Sequence, residues 1–77
     1  MQIKIYSTPG CSWCRVAKNF LKERGFEYEE IDVSDPVKAE EMIQKTGQMG
    51  VPVIEIDDQF IIGFDKDRIM ELLKISE

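Results

Sequence analysis

Tyr6-Ser7-Thr8-Pro9-Gly10-Cys11-Ser12-Trp13-Cys14 is the stretch whose reading decides the fold. A short alternating run, Ile3 and Ile5 between polar neighbours, closes just before it, and turn formers fill Ser7 to Gly10. A helical pattern then begins at the cysteines. Cys11 and Cys14 are the chain's only cysteines, and it has no histidine. Two cysteines separated by two residues at a strand-to-helix turn, beside a βαβ pattern, read as a thiol–disulfide exchange site. The spacing lets both sulfurs sit at the first turn of one helix, close enough to bond to each other. The unpaired amides and positive dipole end of a helix start favour a thiolate there. A structural zinc takes four Cys or His ligands, and this chain supplies two cysteines and no histidine, so no metal site is expected. A disulfide across so short a loop constrains little of the unfolded chain, so the core has to hold without it.

Outward from that stretch the pattern reads strand, helix, strand, helix, strand, strand, helix. The first strand covers Gln2 to Tyr6. In the first helix, from Ser12 to Arg24, Val16, Ala17, Phe20 and Leu21 share a face, and Gly25 is a natural stop. A second strand lies near Glu27 to Val33, carrying Tyr28 and Ile31. Ser34 or Asp35 caps a second helix opened by Pro36, which shows Val37, Met42 and Ile43 and ends by Thr46-Gly47. Val53 to Ile56 and Gln59 to Ile62 form a hairpin about Asp57-Asp58. Asp65 caps the last helix, with Ile69, Leu72 and Leu73 as its buried stripe. A right-handed crossover places the first two strands parallel and adjacent. It also sets Cys11 at the carboxyl edge of the first strand, where open α/β sheets present ligand sites.

Seventy-seven residues make one domain, 1–77, with 43% hydrophobic and 32% charged residues, an ordinary globular balance. A net charge of −5 argues against nucleic acid and against anionic membrane surfaces as partners. No apolar stretch is long enough to span a membrane, and no apolar leader follows the first methionine, so a cytoplasmic location is expected. In that reducing compartment a cysteine pair is catalytic more readily than structural. A monomer is the default for so small a domain.

Three segments together resemble the glutaredoxin family: Tyr6 to Cys14, then Gly50-Val51-Pro52-Val53, then Gly63-Phe64-Asp65, in the family's order and spacing. The resemblance runs essentially end to end and looks closest to the short bacterial glutaredoxin-like proteins and NrdH redoxins. It implies an α/β thioredoxin fold, a four-stranded mixed β-sheet (βαβ then ββα) flanked by three α-helices. It implies Cys11 as nucleophile and Cys14 as resolving thiol, reducing disulfide-containing proteins or glutathione mixed disulfides with no bound cofactor. The electron source would be glutathione or a thioredoxin-reductase-type flavoprotein. A cis peptide at Pro52 would face the cysteines and turn the backbone of Val51 toward a substrate strand. Trp13 would cover the disulfide or dock a partner.

In glutathione users the region of Gly63, Phe64 and Asp65 holds the γ-glutamyl end; Gln48, between the second helix and Pro52, reads either as a contact to a bound peptide or glutathione carboxylate or as a plain polar loop residue. This chain departs from those users in having Ile62 where a first glycine is usual and Thr8 where a basic residue is common. It departs from the NrdH pattern too, with Ile61 in place of tryptophan and Asp65 in place of arginine. An alternative from another class is a dimer bridging a 2Fe–2S cluster through Cys11 and two glutathiones, which Ser12 in place of the usual proline favours. Of the remaining candidates, Met42 and Met49 read as core or rim packing. Glu27, Glu29, Glu30 and Asp32 read as a solvated strand end.

Overall fold

The computed structural model describes residues 2–74. Seven elements follow one another: β1 (Ile3–Ser7), α1 (Ser12–Glu23), β2 (Glu29–Asp32), α2 (Pro36–Thr46), β3 (Val53–Ile56), β4 (Gln59–Ile62) and α3 (Lys66–Leu73). The sheet order is β2-β1-β3-β4. β1 runs parallel to β2, with Lys4 opposite Glu29, and antiparallel to β3, with Ile5 opposite Ile54. The β3–β4 hairpin turns at Asp57, whose φ of 54° is the left-handed geometry a tight turn requires.

Alternation along the central strands divides the core into two layers. Ile3, Ile5, Ile54 and Ile56 pack with Ala17, Phe20 and Leu21 of α1 and Ile69 and Leu73 of α3. On the opposite face Tyr6 and Val53 pack with Val33 and with Met42 of α2. Two helices therefore cover one face and one helix the other. Tyr6 ties α2 to the sheet: its hydroxyl donates to Glu55 Oε1 at 3.0 Å and accepts from Lys45 Nζ at 3.3 Å. Ile69 is fully buried beneath the sheet. Ile69→Ala is expected to cost roughly 2–5 kcal/mol, read as a lower urea midpoint with unchanged slope.

The elements match the sequence reading, with local corrections. β2 starts at Glu29 rather than Glu27, because pairing with β1 begins at Lys4. Asp35, not Ser34, caps α2, its carboxylate accepting the Val37 amide at 2.9 Å. Val16 is exposed: the buried stripe of α1 is Cys14, Ala17, Phe20 and Leu21, and Val16 falls beside Trp13, outside it. Val37, in the first turn of α2, is exposed as well. Met42 is core as expected, whereas Met49 is 73% exposed in the loop before Pro52 and packs in neither layer. Leu72 is only partly buried.

Candidate active site

The loop after β1 sets the cysteines. Gly10 takes a φ of 81°, the region glycine enters without steric cost, and turns the chain into α1. Cys11 is the N-cap, its amide bonded to the Thr8 carbonyl at 3.3 Å and its own carbonyl accepting the Arg15 amide at 3.2 Å. Its sulfur takes the place that a serine or aspartate oxygen fills in ordinary caps. The Cys14 amide donates to Cys11 Sγ at 3.2 Å. Both cysteines are free thiols, but their surroundings differ: Cys11 is partly exposed and Cys14 only 1% exposed. Burial above all pushes the Cys14 thiol up to about 11, helped by its hydrogen bond and charge interaction with Cys11.

Trp13 projects outward, 62% exposed, yet it is not a lone surface ring. It stacks on Phe64 at 6.1 Å between centroids, and Phe64 meets Phe20 edge-on at 5.5 Å. The Arg24 guanidinium closes the series 3.9 Å from the Phe20 centroid. The Val51–Pro52 peptide is cis. The Pro52 carbonyl accepts the Gly63 amide at 2.8 Å, which ties the two loops together. Gly63 has a φ of 80° and open space where a Cβ would stand, so positive φ, not close approach, accounts for the glycine. Trp13, Val51, Pro52, Gly63 and Phe64 line one apolar cleft of about 250 Å³.

Asp65 and Gln48 each have partners within the protein. Asp65 caps α3, accepting the Arg68 amide at 3.2 Å, and does not line that cleft. Gln48 is folded onto its own loop: its Oε1 accepts the Gly50 amide at 2.6 Å and its Nε2 donates to the Gly50 carbonyl at 3.1 Å. Asp65→Ala is expected to destabilise the domain by about 1 kcal/mol through the lost cap, measured by urea unfolding.

A second cleft, polar and about 310 Å³, is lined by Cys11, Arg15, Lys18, Glu30 and Asp32 with the loop from Ser7 to Gly10. Glu30 is therefore not merely a solvated strand end. One of its oxygens takes the Lys18 ammonium at 3.0 Å and the buried Ser7 hydroxyl at 3.2 Å. The Lys18 hydrogen bond holds the Glu30 carboxyl below its ordinary range. Arg15 and Lys18 were not singled out from the sequence as site residues. Their spacing of one helical turn from Cys11 and Cys14 was the available signal.

A mixed sheet in this order, with a cysteine pair at the start of the helix after its first strand, defines a thioredoxin-fold redox protein. Comparison with known proteins narrows the class. The glutaredoxin family model matches residues 3–61. Over 73 residues the chain is 45% identical to an uncharacterised glutaredoxin-like 8.6 kDa protein of the rubredoxin operon of Clostridium pasteurianum, covering 94% of this chain and 97% of that one. It is 44% identical over 57 residues to the N-acetyl-S-hydroxy-L-cysteine reductase of Bacillus subtilis, 73% of this chain but 61% of that protein. The structure of NrdH-redoxin from Escherichia coli superposes with a TM-score of 0.81 at 33% identity, over 94% of this chain and 95% of that one. The chain belongs to the glutaredoxin family. Members of that family are generally thiol–disulfide oxidoreductases that carry no bound cofactor and draw on external electron donors.

Proposed function

We propose that this protein reduces protein disulfides by exchange at Cys11, with Cys14 resolving, and that a thioredoxin-reductase-type flavoprotein recharges it. The observation that carries the proposal is the asymmetry of the pair. Cys11 is reachable, with the Cys14 amide 3.2 Å from its sulfur, while Cys14 lies buried one turn along the same helix. The Cys11 thiolate attacks one substrate sulfur and the other leaves as a thiolate. Cys14 then attacks Cys11, releasing the reduced substrate and leaving a Cys11–Cys14 disulfide. The apolar cleft of Trp13, Val51, Pro52, Gly63 and Phe64 supports docking of an extended substrate segment beside the sulfurs.

Two positions favour the flavoprotein over glutathione as donor. Asp65 already occupies an amide at the start of α3 that an incoming carboxylate would use, and Gln48 spends its amide on Gly50. Thr8 adds no charge to replace them. The likeness to NrdH-redoxin, a protein described as having a thioredoxin-like activity profile, supports the same choice. Ser12 alone favours the cluster-bridging alternative, and a visible spectrum after anaerobic purification tests it. We place the work of the protein in the cytoplasm, as a monomer.

The donor is tested by supplying the oxidised protein with NADPH and either thioredoxin reductase or glutathione with its reductase, and following NADPH loss with a disulfide substrate. Turnover with thioredoxin reductase and little with glutathione is expected. Turnover with glutathione alone would overturn the donor assignment.

A further inference from the structure

The charges around the polar cleft divide into those already used and those left open. Lys18 and Glu30 satisfy each other at 3.0 Å, and Ser7 donates to the same Glu30 oxygen. Asp32 Oδ1 accepts the Ser34 amide at 2.9 Å and the Ser34 hydroxyl at 2.7 Å, while its Oδ2 has no partner among the described residues. The Arg15 guanidinium makes no hydrogen bond or ion pair among the described residues. Two carboxylate oxygens, Asp32 Oδ2 and Glu30 Oε1, are thus without a partner among the described residues, but the Glu30 charge is already balanced by Lys18; the charges left unbalanced beside the cleft that Cys11 lines are Arg15 and Asp32.

We infer that this cleft receives the amino-acid head of a cysteine held in a small disulfide, its carboxylate on Arg15 and its ammonium on Asp32, so that cystine-type disulfides are substrates of Cys11. The inference rests on the reading of Cys11 as the attacking thiol. A ligand bearing only an anion would meet Asp32, and one bearing only a cation would meet Arg15. A zwitterion answers both, and its sulfur stands two bonds from the carbon that carries both charged groups, as a site beside a nucleophilic thiolate requires. An arginine is suited to a carboxylate because its fork can donate two parallel hydrogen bonds.

The electron count closes on the protein's own dithiol. Cys11 thiolate attacks one sulfur of cystine, forming a mixed disulfide and expelling one cysteine thiolate, which takes a proton from water. Cys14, losing its proton to solvent, attacks Cys11 and expels the second cysteine. Two electrons have moved from the dithiol to the substrate, and the flavoprotein reductase named above restores them.

The test is a single-turnover series. Fully reduced protein is mixed with cystine, cystamine, dithiodipropionate or hydroxyethyl disulfide, quenched with acid, and its remaining thiols counted by alkylation and mass spectrometry. Each rate is divided by the rate of the same disulfide with dithiothreitol, which removes intrinsic reactivity. Cystine is expected to exceed hydroxyethyl disulfide by about tenfold, the scale of one charge-assisted contact. Arg15→Gln and Asp32→Asn should each shrink that ratio severalfold, Arg15→Gln the more. Equal normalised rates in the wild type, or a preference that survives both substitutions, would overturn the cleft assignment while leaving disulfide exchange at Cys11 intact. Failure of every disulfide to oxidise the wild-type dithiol would overturn both.

Discussion

Cys11→Ser is expected to lose disulfide exchange altogether, with turnover falling on the order of 10³-fold or more, as removal of a nucleophile does in other covalent catalysts. The reason is chemical before it is structural. A thiolate is a strong nucleophile toward sulfur at neutral pH, while a serine hydroxyl stays protonated and forms no bond to sulfur that Cys14 could later break. The variant should fold normally, because a serine oxygen at an N-cap accepts the amide that Cys11 Sγ now takes from Cys14 at 3.2 Å. Native circular dichroism with no turnover in an insulin-reduction assay is the predicted pair of results. Cys14, only 1% exposed, is not expected to substitute as the attacking thiol.

Cys14→Ser should separate the two halves of the reaction. The first attack survives, so the variant is expected to form mixed disulfides with protein substrates and hold them. Resolution then depends on an external thiol, and the advantage of a tethered one is lost, a fall in protein-disulfide turnover on the order of 10²-fold. Covalent complexes visible on non-reducing gels and dispersed by dithiothreitol are the readout. Single-turnover removal of glutathione from a glutathionylated substrate, which needs one thiol and leaves the glutathione on Cys11, should continue.

The acidity of Cys14 gives the reaction a predictable pH profile. Its thiol is raised to about 11, first by burial and then by its hydrogen bond and charge interaction with Cys11. Those two contributions end once Cys11 is bonded to substrate and carries no charge. Burial, the largest cause, persists in the mixed disulfide, so the Cys14 thiol stays raised there. Since the thiolate is the attacking species, the resolving step should accelerate about tenfold per pH unit from neutrality toward pH 9. Rapid-quench kinetics of mixed-disulfide decay would show it, and a flat profile over that range would contradict it.

The hairpin at Asp57-Asp58, the cap at Asp65 and the stop at Gly25 were legible, and the cap of α2 was narrowed to Ser34 or Asp35, because each depends on a few adjacent residues with strong local preferences. The two-layer core followed from period-two strands between amphipathic helices. What local pattern did not reveal was where polar side chains spend their hydrogen bonds. Gln48 looked available to a ligand and is turned back on Gly50. Glu30 looked solvated and gathers Lys18 and Ser7, which come from two other elements. Val16 looked like core and Met49 like core or rim packing, and both are exposed: Val16 lies one position off the helix stripe and Met49 in a loop. The cysteine pair was readable because its chemistry depends on spacing. The two clefts depend on residues distant in sequence, brought together only by the fold.

The most direct test of the central claim is to follow the order in which the two sulfurs react. Reduced wild-type protein is mixed with a disulfide substrate, quenched with acid at successive times, and mapped by peptide mass spectrometry. The structure predicts a transient adduct on Cys11 that gives way to a Cys11–Cys14 disulfide as substrate thiol is released. An adduct that forms first on Cys14, or one on Cys11 that never yields the internal disulfide, would contradict it.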